Sequence, residues 1–185
     1  MTEPRSFQEM KNVRSAKKLQ PNVLRYLELR GYTRNCPPAV LRKIRVICAH
    51  PRNVVDVERI LEKVKEGFSK RRYIVSTTNN FRLSRFISVR DILKIRLGTC
   101  GAMATVVASV FRSLGAPTKL VNGWYTKKGE NMRHAWNEIY VPSVRGFVPF
   151  DITRSNFRLD RFHKRKDEWI DWSDLEKVYK EERTR

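Results

Sequence analysis

The chain has 185 residues, 41% of them hydrophobic and 31% charged, with 39 Lys and Arg against 19 Asp and Glu for a formal charge of +20. That size suits one domain of about 100–200 residues, and the apolar share is far above that of chains that stay disordered. No run approaches the roughly 18 apolar residues of a membrane-spanning helix, and Met1-Thr2-Glu3-Pro4-Arg5-Ser6-Phe7 lacks a basic-then-apolar signal pattern, so a soluble, cytoplasmic protein with no membrane span is expected.

Helical spacing governs the first half of the chain. Asn22–Arg30 reads as a short helix entered through Pro21 and stopped by Gly31, and Pro38–His50 as a second that ends before Pro51. Asn53–Lys70 is the clearest helix, because Val54, Val57, Leu61, Val64 and Phe68 recur at steps of three and four and make one apolar stripe. Residues 71–87 break the period, with a short extended piece at Arg71–Val75 and a polar loop at Ser76–Asn80. Ser88 then reads as the N-cap of Val89–Leu97, with Asp91 in the capping-box position. Cys100–Leu114 is small and apolar on most sides, the mark of a buried central helix, and Gly115 ends it.

After Gly115 the period falls to about two. Thr118–Thr126, Met132–Val141 and Phe147–Ile152 read as strands joined by turns at Lys127–Asn131 and Pro142–Gly146. A basic-aromatic stretch over Arg154–Lys166 and a charged helix over Ser173–Arg183 complete the chain. The expected fold class is therefore α+β, a helical N-terminal half packed on a small antiparallel sheet. Residues 1–52 form a basic helical extension, 53–153 the core, and 154–185 a segment packed on it, in one compact domain.

The positive charge is uneven. Residues 1–50 carry 11 basic and 3 acidic side chains and residues 51–97 carry 12 and 5, whereas 98–151 carry only 6 and 3. Such an excess favours nucleic acid, anionic surfaces or acidic partners, with a merely solvated surface as the plain alternative. Arg154, Arg158, Arg161, Lys164, Arg165 and Lys166, interleaved with Phe157, Phe162 and His163, form a basic surface for phosphates or else a cover over the sheet edge. Cys36, Cys48 and Cys100 form no CxxC pair and the three histidines no HExxH, so neither a metal nor any other cofactor is expected.

Taken singly, Cys100 at a helix start, His134 in the second strand and Asp151 at the end of the third read as ordinary structural residues. Together they carry chemistry. A helix N-terminus favours thiolate at Cys100. A hairpin turning near residues 143–145 pairs positions whose numbers sum to 286–290, and His134 and Asp151 sum to 285, so carboxylate and imidazole lie on neighbouring strands. A carboxylate there orients an imidazole whose other nitrogen takes a proton from a thiol. Trp136 and Glu138 share the His134 face, Trp136 as a wall of the site and Glu138 as an ion-pair partner. Cys48, in an apolar helical setting, and Cys36, before two prolines, read as inert.

Gly98-Thr99-Cys100-Gly101-Ala102, Arg112-Ser113-Leu114-Gly115-Ala116-Pro117, Gly123-Trp124-Tyr125, Arg133-His134-Ala135-Trp136-Asn137-Glu138 and Gly146-Phe147-Val148-Pro149-Phe150-Asp151 resemble, in order and spacing, the transglutaminase-like core. That superfamily includes transglutaminases, peptide N-glycanases and many microbial cysteine peptidases. The resemblance covers about residues 98–152, with a looser helical likeness upstream. It implies a papain-like fold with Cys100 as nucleophile, His134 as base and Asp151 as orienter, and a thiol acyl-transfer enzyme that hydrolyses a peptide, isopeptide or side-chain amide bond. Amine transfer and a catalytically silent basic binding module are the alternatives. The chain departs from transglutaminases proper in lacking an upstream Trp to support the oxyanion, since all four Trp lie at or after Trp124. Asn79, Asn80 or Tyr73 is expected to supply that donor beside the Cys100 amide, with Trp136 near the substrate. Calcium-loop spacing and paired zinc cysteines are absent. The expected partners are a protein or peptide substrate, acidic in character, and nucleic acid on the basic surface.

Overall fold

The structure, a computed structural model, describes residues 19–34, 36–46, 48, 50–70, 74–75, 88–95, 97–127, 130–154, 163–174 and 177. The first helix, α1, spans only Pro21–Leu24 and runs into a 3-10 turn over Arg25–Leu27, so the single helix expected over Asn22–Arg30 is broken. Glu28 is extended at ψ 125°, and its carbonyl accepts from Arg112 Nη1 at 2.9 Å rather than from a later amide of its own segment. Gly31 then adopts φ +50° in a second 3-10 turn, Gly31–Thr33. A tertiary donor has overridden local helix preference here.

Helix α2, Pro38–Arg45, is entered through a Pro at its first position, where the missing amide costs nothing. It is shorter than the expected Pro38–His50 and buries only Ile44 fully, with Val40 and Leu41 packed partly on the core. Helix α3, Val54–Lys70, starts where Asn53 Oδ1 accepts from the Asp56 amide at 2.9 Å and buries Val57, Ile60, Leu61 and Val64 on one stripe. Helix α4, Val89–Ile95, is capped by Ser88 Oγ, which accepts from the Asp91 amide at 3.2 Å. Two short strands, β1 at Ile74–Val75 and β2 at Leu97–Gly98, pair in parallel.

Helix α5, Cys100–Ser113, is the axis of the molecule, with every residue from Gly101 to Arg112 buried. It ends in a Schellman motif: Gly115 turns to φ +81° while its amide bonds the Arg112 carbonyl and the Ala116 amide reaches back to Phe111, both at 2.9 Å. The fully buried Arg112 guanidinium donates Nε to the Thr118 carbonyl at 2.9 Å and Nη1 to the Glu28 carbonyl and Thr33 Oγ1. Burial brings its pKa down to about 10.

Strands β3 (Thr118–Lys127), β4 (Glu130–Val141), β5 (Gly146–Phe150) and β6 (His163–Trp169) form one antiparallel sheet in the order β5-β4-β3-β6. Leu120, Ala135, Asn137, Ile139 and Phe150 line the face toward α5, and Asn137 Nδ2 fixes the packing by donating to the Ala104 carbonyl at 3.0 Å. On the opposite face Lys119 Nζ lies 2.6 Å from Glu168 and 3.7 Å from Glu138, while the Tyr26 ring meets Phe147 edge-on at 5.4 Å. The chain is thus α+β, as its patterning predicts. The fourth strand is a correction: residues 163–166, read as part of a basic-aromatic cover, extend along β3 with a register shift at Asn122/Gly123. Most of the expected terminal helix Ser173–Arg183, like Phe157 and Phe162, lies outside the described residues.

Candidate active site

Cys100 occupies the first turn of α5 because Thr99 caps it, accepting from the Ala102 amide at 3.3 Å. The thiol hydrogen-bonds the His134 ring and the backbone of Ala135 and Gly101. The Ala135 contact arises where β5 has run out, since the last β4–β5 pair is Asn137 with Phe150. Helix α5 meets β4 on this stretch. Burial alone would raise the Cys100 pKa, but the His134 hydrogen bond and charge, with the two backbone bonds, outweigh it and hold the thiol below its usual value.

The register of β4 on β5 fixes the other pair. Partners along this ladder sum to 287, as in Asn137 with Phe150 and Val141 with Gly146. Asp151 therefore falls opposite Trp136, two residues from His134. An offset of two keeps both side chains on one face and makes them diagonal neighbours. His134 Nε2 lies 2.7 Å from Asp151 Oδ2, which leaves Nδ1 for the thiol. Asp151 is almost fully buried, and its second oxygen accepts from the Thr153 amide at 2.9 Å and from Thr153 Oγ1 at 2.6 Å. Desolvation pulls the His134 pKa down, but bonds to Asp151 and Cys100 outweigh it and carry it from 6.5 to about 9. A lowered thiol against a raised imidazole is the electrostatic signature of a thiolate–imidazolium pair, the nucleophilic form of cysteine.

With this geometry in place, the likeness to known proteins becomes informative. The family model of the transglutaminase-like superfamily matches residues 48–152, more than half of the chain. The chain belongs to the transglutaminase-like superfamily. Among solved structures, a protein from Cytophaga hutchinsonii, provisionally named a cysteine protease, superposes with a TM-score of 0.64 at 20% identity over 90% of this chain. The match takes in 53% of that protein, so this chain spans about half its length, and at this identity the likeness is one of fold. No curated protein matches.

In this transglutaminase-like chain the His134 ring is walled by aromatics. Trp136, almost fully buried, stacks on it with centroids 6.1 Å apart at 28°, and Tyr125 tilts against it at 6.1 Å. Arg154 lies over the Tyr125 ring at 4.1 Å, with Nε 3.9 Å from Asp151 Oδ2. Tyr125, Thr153 and Arg154 thus join the neighbourhood of the site. Of these, sequence reasoning counted only Arg154 among site residues, as part of a basic surface. The spacing of Thr153, two residues beyond Asp151, is the signal for its side-chain turn. Glu138 is ion-paired to Lys119. Asn79, Asn80 and Tyr73, expected at the oxyanion, lie outside the described residues, as do Arg158 and Arg161, while Lys164, Arg165 and Lys166 lie on β6. Cys36 is buried, which pushes its thiol up to about 12, and burial also raises that of Cys48. Among the described residues no group of His, Cys, Asp and Glu could hold a metal ion, and no helix is long and apolar enough to cross a membrane.

Proposed function

We propose that this transglutaminase-like chain is a thiol acyl-transfer enzyme that hydrolyses a peptide, isopeptide or side-chain amide bond. In this reading Cys100 Sγ attacks the substrate carbonyl while the proton it has lost resides on His134 Nδ1. The tetrahedral oxyanion leans on the Cys100 backbone amide, a donor that needs no reorganisation when charge develops. His134 then gives its proton to the departing amine, leaving a thioester on Cys100. Water enters, loses a proton to His134 and attacks the thioester, and the acid leaves as Cys100 departs as thiolate, which restores the starting pair with the proton on His134. Asp151 holds the ring by Nε2–H throughout and offsets the imidazolium charge.

The observation that carries this reading is the His134 ring held between the Asp151 carboxylate, at 2.7 Å, and the Cys100 thiol. The name of the Cytophaga hutchinsonii neighbour supports water, rather than an amine, as the second acceptor. The test compares wild type and Cys100→Ala on an unbiased peptide library, reading new termini by mass spectrometry and trapping acyl-enzyme by acid quench. Cleavage and a Cys100 adduct in wild type alone are expected. Amine-linked products in place of new termini would replace hydrolysis by transfer. An untouched library, no adduct, and a Cys100 that alkylates no faster than Cys48 would defeat the proposal.

A further inference from the structure

Some positive side chains on the described surface meet a carboxylate. Lys63 pairs with Glu66 at 2.8 Å, Arg30 with Asp174, Arg25 with Glu168, and Lys119 with both Glu138 and Glu168. Helix α3 as a whole is balanced, with Asp56, Glu58, Glu62 and Glu66 against Arg59, Lys63, Lys65 and Lys70. Helix α2 gathers three cations without such partners into one turn. It exposes Arg42, Lys43 and Arg45, and among the described residues no carboxylate pairs with any of them. Between Glu28 and Asp56 the sequence contains no acidic residue, while Arg34 and Arg52, also exposed, flank the helix.

The arrangement on α2 is one-sided. Val40, Leu41 and Ile44 pack inward, and at 100° per residue Arg45, Pro38, Arg42, Val46, Ala39 and Lys43 follow one another around the outer arc. Arg42 and Arg45, three apart, are neighbours on that arc about 5–6 Å apart at Cβ, and Val46 stands beside them, 87% exposed. The helix lies toward the far end of α5 from the thiol. His50, just after it, bonds the Leu114 carbonyl at 3.0 Å, whereas Cys100 is the first residue of α5. A rise of 1.5 Å per residue puts Leu114 roughly 21 Å along the axis from Cys100.

We propose that the outer face of α2 is a docking surface for the phosphodiester backbone of nucleic acid. Charge complementarity selects the partner. The guanidinium fork matches phosphate oxygens, two of the three cations on the helix are arginines, and Arg outnumbers Lys in the whole chain by 24 to 15. The excess also runs beyond one helix, with 23 basic against 8 acidic side chains over residues 1–97, which suits a long polyanion better than a compact acidic peptide. Contacts of this kind position a protein on a duplex without reading its sequence.

The experiment measures anisotropy of short labelled DNA and RNA duplexes against a salt series. It compares wild type, the triple variant Arg42→Gln, Lys43→Gln, Arg45→Gln, and the control Lys63→Gln. Wild type is expected to bind both duplexes with a steep salt dependence. The triple variant should flatten the slope of log K against log salt by about 2 to 3, at roughly 0.9 per lost phosphate contact, and the control should leave it alone. Gln keeps helix propensity high, and an unchanged alkylation rate at Cys100 certifies that the triple variant is folded. The proposal is overturned if wild type ignores both duplexes at low salt or if the triple variant keeps the wild-type slope. It is equally overturned if polyglutamate or phosphatidylserine vesicles bind more tightly than the duplexes, which would make the face a site for acidic protein or membrane.

Discussion

Replacing Asp151 with Asn preserves the shape of the side chain and removes the charge that faces His134 Nε2 at 2.7 Å. The carboxylate is buried, so its effect on the ring is weakly screened. His134 stands at about 9 against an ordinary 6.5, a rise that its bonds to Asp151 and Cys100 produce together. If the carboxylate supplied all of it, the imidazolium would lose roughly 3 kcal/mol and the thiolate population at mildly acid pH would fall about 300-fold. With Cys100 carrying a share, the expected loss is about 10- to 300-fold. The assay is the rate of iodoacetamide alkylation of Cys100 near pH 6, read by peptide mass, with Cys36 and Cys48 in the same sample as raised-pKa controls. Wild-type Cys100 should outpace both, and Asp151→Asn should lose most of that lead and recover it only as the pH climbs. An Asp151→Asn rate profile that overlays wild type would refute the reasoning, because the carboxylate would then not set the charge of the ring.

Other changes follow from the same contacts. Thr153→Val removes the hydroxyl bonded to Asp151 Oδ1 and should slow Cys100 alkylation several-fold, whereas Thr153→Ser should restore it; equal rates in all three would show that the backbone amide alone fixes the carboxylate. Folding raises His134 to about 9, so the imidazolium favours the folded chain fully below pH 6.5, and that contribution is lost as the pH rises through 9. The melting-temperature gap between wild type and His134→Gln should therefore narrow over that interval, which a pH series of thermal melts checks. Arg112→Met leaves the Thr118 and Glu28 carbonyls without their donor and should cost about 3 kcal/mol in urea unfolding. A Cβ at Gly31, already at φ +50°, would fall 2.2 Å from Asp171 Oδ1, so Gly31→Ala should lower the melting temperature by several degrees.

What could be read before the fold was seen depended on how local each signal is. The stripe of Val57, Leu61 and Val64 lies within one helix and forms as spaced, with Ile60 widening it. The cap at Ser88 needs only the residue three positions on. The approach of His134 to Asp151 was legible because hairpin pairing is arithmetic, and an error of two residues along a strand returns a side chain to the same face. Strand β6 was not legible. His163-Lys164-Arg165-Lys166-Asp167-Glu168-Trp169 shows no apolar alternation, and it becomes a strand by completing the free edge of β3. The broken helix after Leu24 likewise depends on Arg112, a residue more than eighty positions away. The placement of Arg154 over Tyr125 joins two residues twenty-nine positions apart, a contact that no local pattern encodes.

Arg112 has one more bearing, on where the protein can be cut. The superfamily match begins at residue 48, and a truncation at that boundary looks natural on a sequence map. Yet Nη1 of this buried guanidinium is bound by the Glu28 carbonyl and Thr33 Oγ1, both upstream of the cut. Asp171, also fully buried, accepts from the Tyr32 and Thr33 amides, so the same excision would strand an anion as well as a cation in the interior. The two ends of the described chain are latched across α5 by opposite charges that share Thr33. The smallest piece able to fold is therefore longer than the piece that defines the family, and shortened versions should be designed from the latch inward rather than from the match outward.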